Sequence, residues 1–329
     1  MFHTKGLIRR AMLAAMAAVA VLSGGRPAQA EDLNVRFSWK LKGEYGFFYL
    51  GQEKGLYQNA GVTLKLGEGA GSQAALGSLI QGQEDAVVLP GIFAISAIQK
   101  GMPVKIIALY QPETPVVLIS HPNKPVNTPK ELEGKTIASA VGETGTAYLG
   151  VFCKINQVDC SKLSKIQMDA QARIPQFLQN RVDVVSVYTS SDLPVIEEKT
   201  GTRYPVLNMA QYGLAIPGLA VVASNAGIEK KAAALRGFLA ANAKAIALTR
   251  SDPAAATAAL KTVWQAGPSD QVVQKQIEAA SLSFRSPDDK PAGWIDEKAM
   301  ADALKLLGAV EDVGTPKPIA TFYTNQLLQ

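Results

Sequence analysis

Signals for β-strands and α-helices alternate along most of this chain, which restricts it to an α/β architecture with mainly parallel sheets flanked by helices. Residues 33–39 alternate in polarity and are expected as a first strand. Strands at 62–66, 85–89, 104–110 and 116–120 follow, with helices over 46–54, 73–81 and 92–100 between the first four. After a proline-rich turn at 121–129 a second series begins, with strands at 136–140, 164–168 and 182–187 and helices at 147–155, 174–180 and 193–199. One more apolar strand, 219–223, precedes a stretch of purely helical pattern over 230–250, 253–264, 269–281 and 296–307.

Two turns in these series echo one another. Gly67-Glu68-Gly69-Ala70-Gly71-Ser72 joins a strand to a helix in the first, and Gly142-Glu143-Thr144-Gly145-Thr146 does so in the second. Each is expected to set a glycine-rich turn and a hydroxyl N-cap at the carboxyl end of a strand, the edge where ligands sit in wound α/β sheets. Free N–H groups at such turns accept polar or anionic groups. The ordinary alternative is that glycine only relieves a steric problem. Residues 67–72 are no dinucleotide fingerprint, because Ser72 stands where the third glycine belongs.

The chain opens with Lys5, Arg9 and Arg10, then an unbroken apolar run over 11–22, then Ala28-Gln29-Ala30 before Glu31. That is the pattern of a secretory leader cleaved after Ala30, which directs the protein to the periplasm. The apolar run of about 12 residues is short of the roughly 20 needed to span a bilayer. The whole chain has 33 Lys and Arg against 28 Asp and Glu; the leader holds four of the basic and none of the acidic residues, which leaves 29 against 28. The basic character therefore belongs to the leader, and no nucleic-acid partner is expected.

Cysteine and histidine usage narrows the chemistry. Cys153 and Cys160 are the only cysteines, and both enter an oxidising compartment. On a continuous helix they would lie about 10 Å apart, too far to bridge. A helix end and turn over 156–159 would fold Cys160 back toward Cys153, so either a disulfide or a pair of buried thiols is expected. Beyond the leader the one histidine is His121, ahead of Pro122 at a strand end, where a structural or surface role is the ordinary one. No metal and no cofactor are expected from this inventory.

Several stretches resemble a known family. Phe37-Ser38-Trp39, Tyr45-Gly46-Phe47-Phe48-Tyr49-Leu50, Glu53-Lys54-Gly55-Leu56-Tyr57 and Asn59-Ala60-Gly61-Val62 are similar to the opening of periplasmic substrate-binding proteins of ABC importers, in the group that serves nitrate, sulfonate, taurine and thiamine-pyrimidine precursors. The resemblance continues through Gly69-Ala70-Gly71-Ser72, Leu79-Ile80-Gln81-Gly82, Gly101-Met102-Pro103-Val104, 128–136 and Arg181-Val182-Asp183-Val184. It implies a two-lobed clamshell of the type II periplasmic-binding kind with a two-strand hinge. Residues 31–119 would form the first part of lobe 1, 120–218 lobe 2, and 219–329 the mostly helical second part of lobe 1. Strand 116–120 would leave the first lobe and 219–223 would return to it. The implied partners are a small-molecule ligand and an inner-membrane permease, with the protein itself a monomer.

Candidate ligand-binding residues follow from the turns and the resemblance together. Trp39 and Tyr45 would offer aromatic faces, although relatives carry a histidine near Tyr45. Gly71, Ser72 and Gln73 from the first lobe, with Thr144, Gly145 and Thr146 from the second, would offer amides and hydroxyls. Pro90, Gly91, Tyr110, Tyr188 and Thr189 follow other strands. Arg173 precedes a helix, where it would either pair with an anionic ligand or lie solvated on the surface. The aromatic residues favour a flat or pyrimidine-like solute, with a sulfonate next. Catalysis is not expected, since enzymes on this scaffold use histidine or cysteine sets that this chain lacks. A sensor that presents its ligand to a receptor is the remaining alternative.

Overall fold

The computed structural model describes residues 30–308, 315 and 317–329; the expected leader, apart from Ala30, lies outside them. The first series of elements runs β1 (Glu31–Phe37), α1 (Gly46–Glu53), α2 (Leu56–Asn59), β2 (Val62–Gly67), α3 (Ser72–Ile80), β3 (Ala86–Pro90), α4 (Gly91–Gln99) and β4 (Val104–Leu109). The second runs β5 (Val116–Ser120), β6 (Thr136–Ser139), α5 (Thr144–Ala147), α6 (Leu149–Ile155), β7 (Ser164–Gln167), α7 (Arg173–Leu178), β8 (Val184–Tyr188), α8 (Asp192–Thr200) and β9 (Val206–Asn208). After β10 (Leu219–Ser224) come α9 (Asn225–Lys230), α10 (Ala232–Ser251), α11 (Pro253–Lys261), α12 (Asp270–Ser283) and α13 (Glu297–Gly308).

These elements build two five-stranded sheets, ordered β2-β1-β3-β10-β4 and β7-β6-β8-β5-β9. In each sheet the strands of the βαβ units pair in parallel, β1 with β2 and β3, and β6 with β7 and β8. One strand in each runs the other way: β10 lies antiparallel between β3 and β4, and β5 antiparallel between β8 and β9. The residues of β5 are all buried, which accounts for its continuous apolar run. In β1, by contrast, Leu33, Val35 and Phe37 face a core that also holds Phe47, Phe48 and Phe238, while the intervening residues are more open.

The placement of β5 corrects the expected lobe boundary. Strand 116–120 is a member of the second sheet, so the chain leaves the first sheet through 110–115 and returns through 209–218. The two crossing segments bond to each other: Thr114 N–H donates to the Ile216 carbonyl at 2.8 Å, and Gly218 N–H to the Gln111 carbonyl at 2.9 Å. The Gln111 amide adds a third tie, its Oε1 accepting from Leu219 N–H at 3.0 Å. Strand β9 has no counterpart in the sequence reading, because three residues are too short for an alternating pattern to register.

The C-terminal helices complete the first lobe. The fully buried Asn242 of α10 accepts from the Tyr57 hydroxyl at 2.7 Å and donates to the Tyr110 hydroxyl at 2.9 Å. A buried amide in an apolar core needs such partners, and here one side chain satisfies two tyrosines. Beneath the second sheet, His121 stacks on Phe177 with centroids 4.1 Å apart, and its Nε2 lies 3.0 Å from the Val182 carbonyl. Cys153 and Cys160 are joined by a disulfide, with Cα atoms 5.8 Å apart. The bridge ties the end of α6 to the turn before β7.

Two predictions follow for stability. Replacing both cysteines by serine is expected to cost about 2.5 kcal/mol by the loop-closure model, lowering the melting temperature by several degrees; an unchanged calorimetric transition would refute this. The Glu133 carboxyl is held down at about 2 by its hydrogen bond from Lys130, then by Asp159 N–H and the charge of Lys162. A lowered folded value means that the contribution is complete above the ordinary 4.5 and disappears as pH falls toward 2. Denaturant titrations of Glu133→Gln between pH 2 and 7 are expected to show a smaller loss of stability across that window than the parent protein.

Candidate functional site

The carboxyl ends of β1, β3, β6 and β8 converge where the two sheets face each other. A cavity of about 50 Å³ lies there, walled from the first lobe by Ser38, Trp39, Lys42, Glu44, Tyr45, Ser72, Pro90 and Leu219. The second lobe supplies Gly142, Glu143, Thr144, Arg173, Ser186, Val187, Tyr188 and Asp192. A volume of this size accommodates a few waters or one small, flat group. Trp39 also walls an adjoining outer cleft of about 330 Å³ with Gly69, Ala70 and residues 167–171, so it borders both spaces.

The lobes meet closely along a glycine seam. Gly71 has φ of +133° and Gly142 has φ of +75°, conformations that side-chain-bearing residues rarely adopt. A Cβ on Gly142 would lie 2.9 Å from the Gly71 Cα and 3.0 Å from the Ser72 nitrogen. Away from the seam, the Gln276 amide of α12 accepts from Gly43 N–H at 3.0 Å and donates to the Ser191 carbonyl at 2.7 Å, joining one lobe to the other. Phe93 of α4 meets Tyr148 of the second lobe edge to face at 5.2 Å.

Lys42 carries charge into the cavity. Its ammonium lies 2.5 Å from the buried Glu44 carboxylate and 4.4 Å from the centroid of the Tyr188 ring across the cleft. Burial alone would favour the neutral amine, but the charge and hydrogen bond of Glu44, with Tyr45 and Tyr188 beside it, together outweigh it and raise the lysine well above its ordinary range. Tyr45 stacks on Phe37 with centroids 4.0 Å apart, and burial pushes its hydroxyl up, far from ionisation. The Tyr188 hydroxyl pairs with Thr144 Oγ1 at 3.0 Å and is likewise raised by burial.

The second glycine-rich turn is closed on itself. The Glu143 side chain caps α5, accepting from Gly145 N–H at 2.7 Å, from Thr146 N–H at 3.0 Å and from the Thr146 hydroxyl at 2.5 Å. Ser186 Oγ donates to the same carboxylate at 2.7 Å. The N-cap is thus a carboxylate where a hydroxyl was expected, and in the first lobe the cap position is Gly71, without a side-chain bond. Arg173 is buried, which corrects its reading as a solvated surface residue. It donates from Nη1 to the Ser186 carbonyl at 2.9 Å and lies 4.0 Å from Glu143 Oε1.

The structure brings Trp39, Tyr45, Ser72, Pro90, Thr144, Arg173 and Tyr188 to the cavity wall. Gly71 and Gln73 stand at its seam, with Gln73 turned to an outer groove beside Phe93 and Tyr148. Gly145 and Thr146 lie behind the wall, engaged by Glu143 and Ser186. Gly91 donates to the Gly218 carbonyl at the hinge. Tyr110 points into the first-lobe core toward Asn242, and Thr189 bonds back to Pro115; neither walls the cavity. The sequence reading missed Lys42, Glu44, Glu143 and Asp192 as wall residues. Glu143 was within reach as the one ionisable residue of its turn, whereas Lys42 and Glu44 sit in a charged stretch that looks like any solvated loop.

Replacing Gly142 by alanine is expected to wedge the seam apart. Small-angle scattering of Gly142→Ala should give a larger radius of gyration than the parent protein. Affinity for any solute held by the closed form should fall roughly tenfold or more, since the competent fraction sets the apparent constant. An unchanged radius and affinity would show that the seam absorbs the methyl group.

Comparison with known proteins places this geometry. The solved structure of a Bordetella bronchiseptica protein aligns with a TM-score of 0.71 at 21% identity, covering 92% of this chain and 96% of that one. The periplasmic aliphatic sulphonate binding protein of Escherichia coli gives 0.67 at 18% identity, over 85% of this chain and 86% of that one. The alkanesulfonate-binding protein of Xanthomonas axonopodis, solved with MOPS bound, gives 0.66 at 14% identity, over 91% and 97%. At these identities the likeness establishes the two-lobed periplasmic-binding fold. A comparison with curated proteins finds no match. The family model described as NMT1/THI5 like matches residues 43–256, and the chain belongs to that family.

Proposed function

We propose that this protein is the solute-binding component of an ABC importer, exported to the periplasm by a leader cleaved after Ala30. It captures a small flat organic molecule between its lobes and delivers it to a membrane permease. The observation that carries this reading is the cavity itself: both lobes wall it, and among the described residues the chain passes between them through the two paired crossing segments. Such a site forms when the lobes close and is lost when they part, so a solute that bonds to both walls favours the closed form by its differential affinity. The stacked Tyr45, Tyr188 and the half-buried Trp39 support a planar solute. The fold shared with sulfonate-binding proteins supports a transport role, while the ligand is argued from this chain's own wall.

The test is a thermal-melt screen of the mature protein against pyrimidines, aromatic amides, aromatic carboxylates, aliphatic sulfonates and nitrate. A ligand at about 100 times its dissociation constant adds roughly 2.7 kcal/mol, which raises the melting temperature by several degrees. A shift confined to one chemical class, and abolished in Tyr188→Ala, is the expected result. A flat response to every class would overturn the reading.

A further inference from the structure

The structure assigns the cleft a charge preference: we infer that it takes an uncharged or cationic solute bearing an N–H donor beside an acceptor, that it rejects anions, and that Glu143 sets this specificity. This rests on the cavity being the solute site.

The argument begins with the donors an anion would need. In the second lobe the amides of Gly145 and Thr146, the Thr146 hydroxyl and the Ser186 hydroxyl all point at one group, and that group is the Glu143 carboxylate. An anion is already seated there, covalently attached and buried. A second one would have to displace it or lie against it in a site of low polarity, where like charges repel strongly. Nor does either cation offer a free charge. Lys42 is paired with Glu44 and lies over Tyr188, and Arg173 faces Glu143 and holds the Ser186 carbonyl. Asp192, whose Oδ2 accepts from Tyr188 N–H, leaves the ionisable side chains of the wall with three carboxylates against two cations.

What the wall lacks is the second half of the argument. Glu44 Oε2 and Arg173 Nε are buried, belong to wall residues and have no hydrogen-bond partner among the described residues. Buried polar atoms without partners are costly, and a pair of opposite sense in one wall reads as an acceptor and a donor kept for a missing group. A solute with an N–H for Glu44 and a carbonyl or ring nitrogen for Arg173 satisfies both. A nitrate or sulfonate carries acceptors only, and would leave Glu44 unmatched.

The experiment compares three planar probes of nearly one shape and different charge: benzoate, benzamide and benzamidine. Titration calorimetry on the mature protein is expected to rank benzamide at least tenfold tighter than benzoate, with benzamidine, which offers N–H groups to Glu44 but no acceptor to Arg173, between the two. In Glu143→Gln the gap should shrink about tenfold, and in Glu44→Gln benzamide should weaken while benzoate gains. The ranking on the parent protein needs no variant, so a Glu143→Gln that misfolds leaves the inference open to refutation. Benzoate binding as tightly as benzamide, or tighter, overturns the charge preference while the solute-binding reading stands. An unchanged gap in a folded Glu143→Gln removes Glu143 as its source. Should none of the three bind, the charge of any solute found in the melt screen decides in the same way, an anion overturning the inference. An empty screen overturns both.

Discussion

Two short segments, 110–115 and 209–218, carry the chain between its sheets, and their mutual hydrogen bonds hold them together as one strap. Everything else in the molecule is arranged around that constraint. Each sheet must receive one strand running against its neighbours, because a chain that crosses over and back enters each lobe from the far side. These are β5 and β10, set among the parallel strands. The strap also brings the carboxyl ends of the parallel strands in one sheet opposite those in the other. The cavity lies there because βαβ units leave their turns at that edge.

Around the cavity the two lobes use their echoing turns differently. The first puts a bare glycine at its cap position and lends it to the seam, where backbone meets backbone. The second puts a carboxylate at the same place and saturates it with four bonds. Symmetry of pattern thus conceals asymmetry of charge. The first lobe adds Lys42 and Glu44 from the loop ahead of α1, which reach the cleft because α12 presents Gln276 to Gly43 and fixes that loop. Aromatic rings from both sides complete a wall in which each cation faces a carboxylate.

Much of this was legible in the residues. Periodicity gave the parallel strands and helices, because amphipathic alternation and buried apolar runs are local properties. The glycine-rich turns point to the sheet edge where the cavity lies, and Ser72 and Thr144 from those turns wall it with Trp39 and Tyr188. What local pattern does not contain is direction and partner. Tyr110 follows a strand just as Tyr188 does, yet a distant amide in α10 draws it into the core. Arg173 looks like a solvated residue until the carbonyl of Ser186, on another strand, is placed beside it. The strand 116–120 is apparent from its apolar run, but its sheet depends on antiparallel pairing with β8, from Ser120 opposite Val184 to Val116 opposite Tyr188, a long-range contact that local pattern does not encode. The charged loop of Lys42 and Glu44 is buried only through a helix more than 200 residues away.

The Gln276 amide has a further consequence for the energetics of the moving parts. Its two ends clasp Gly43 in one lobe and Ser191 in the other, and neither bond involves a solute. Parting the lobes breaks the latter bond, at a net cost of about 1 kcal/mol. A share of the closing free energy is therefore intrinsic to the chain and acts before any solute arrives. That share spares the solute part of the work of closing the cleft, so its measured affinity reflects its fit to the wall more than the distance it must move the lobes.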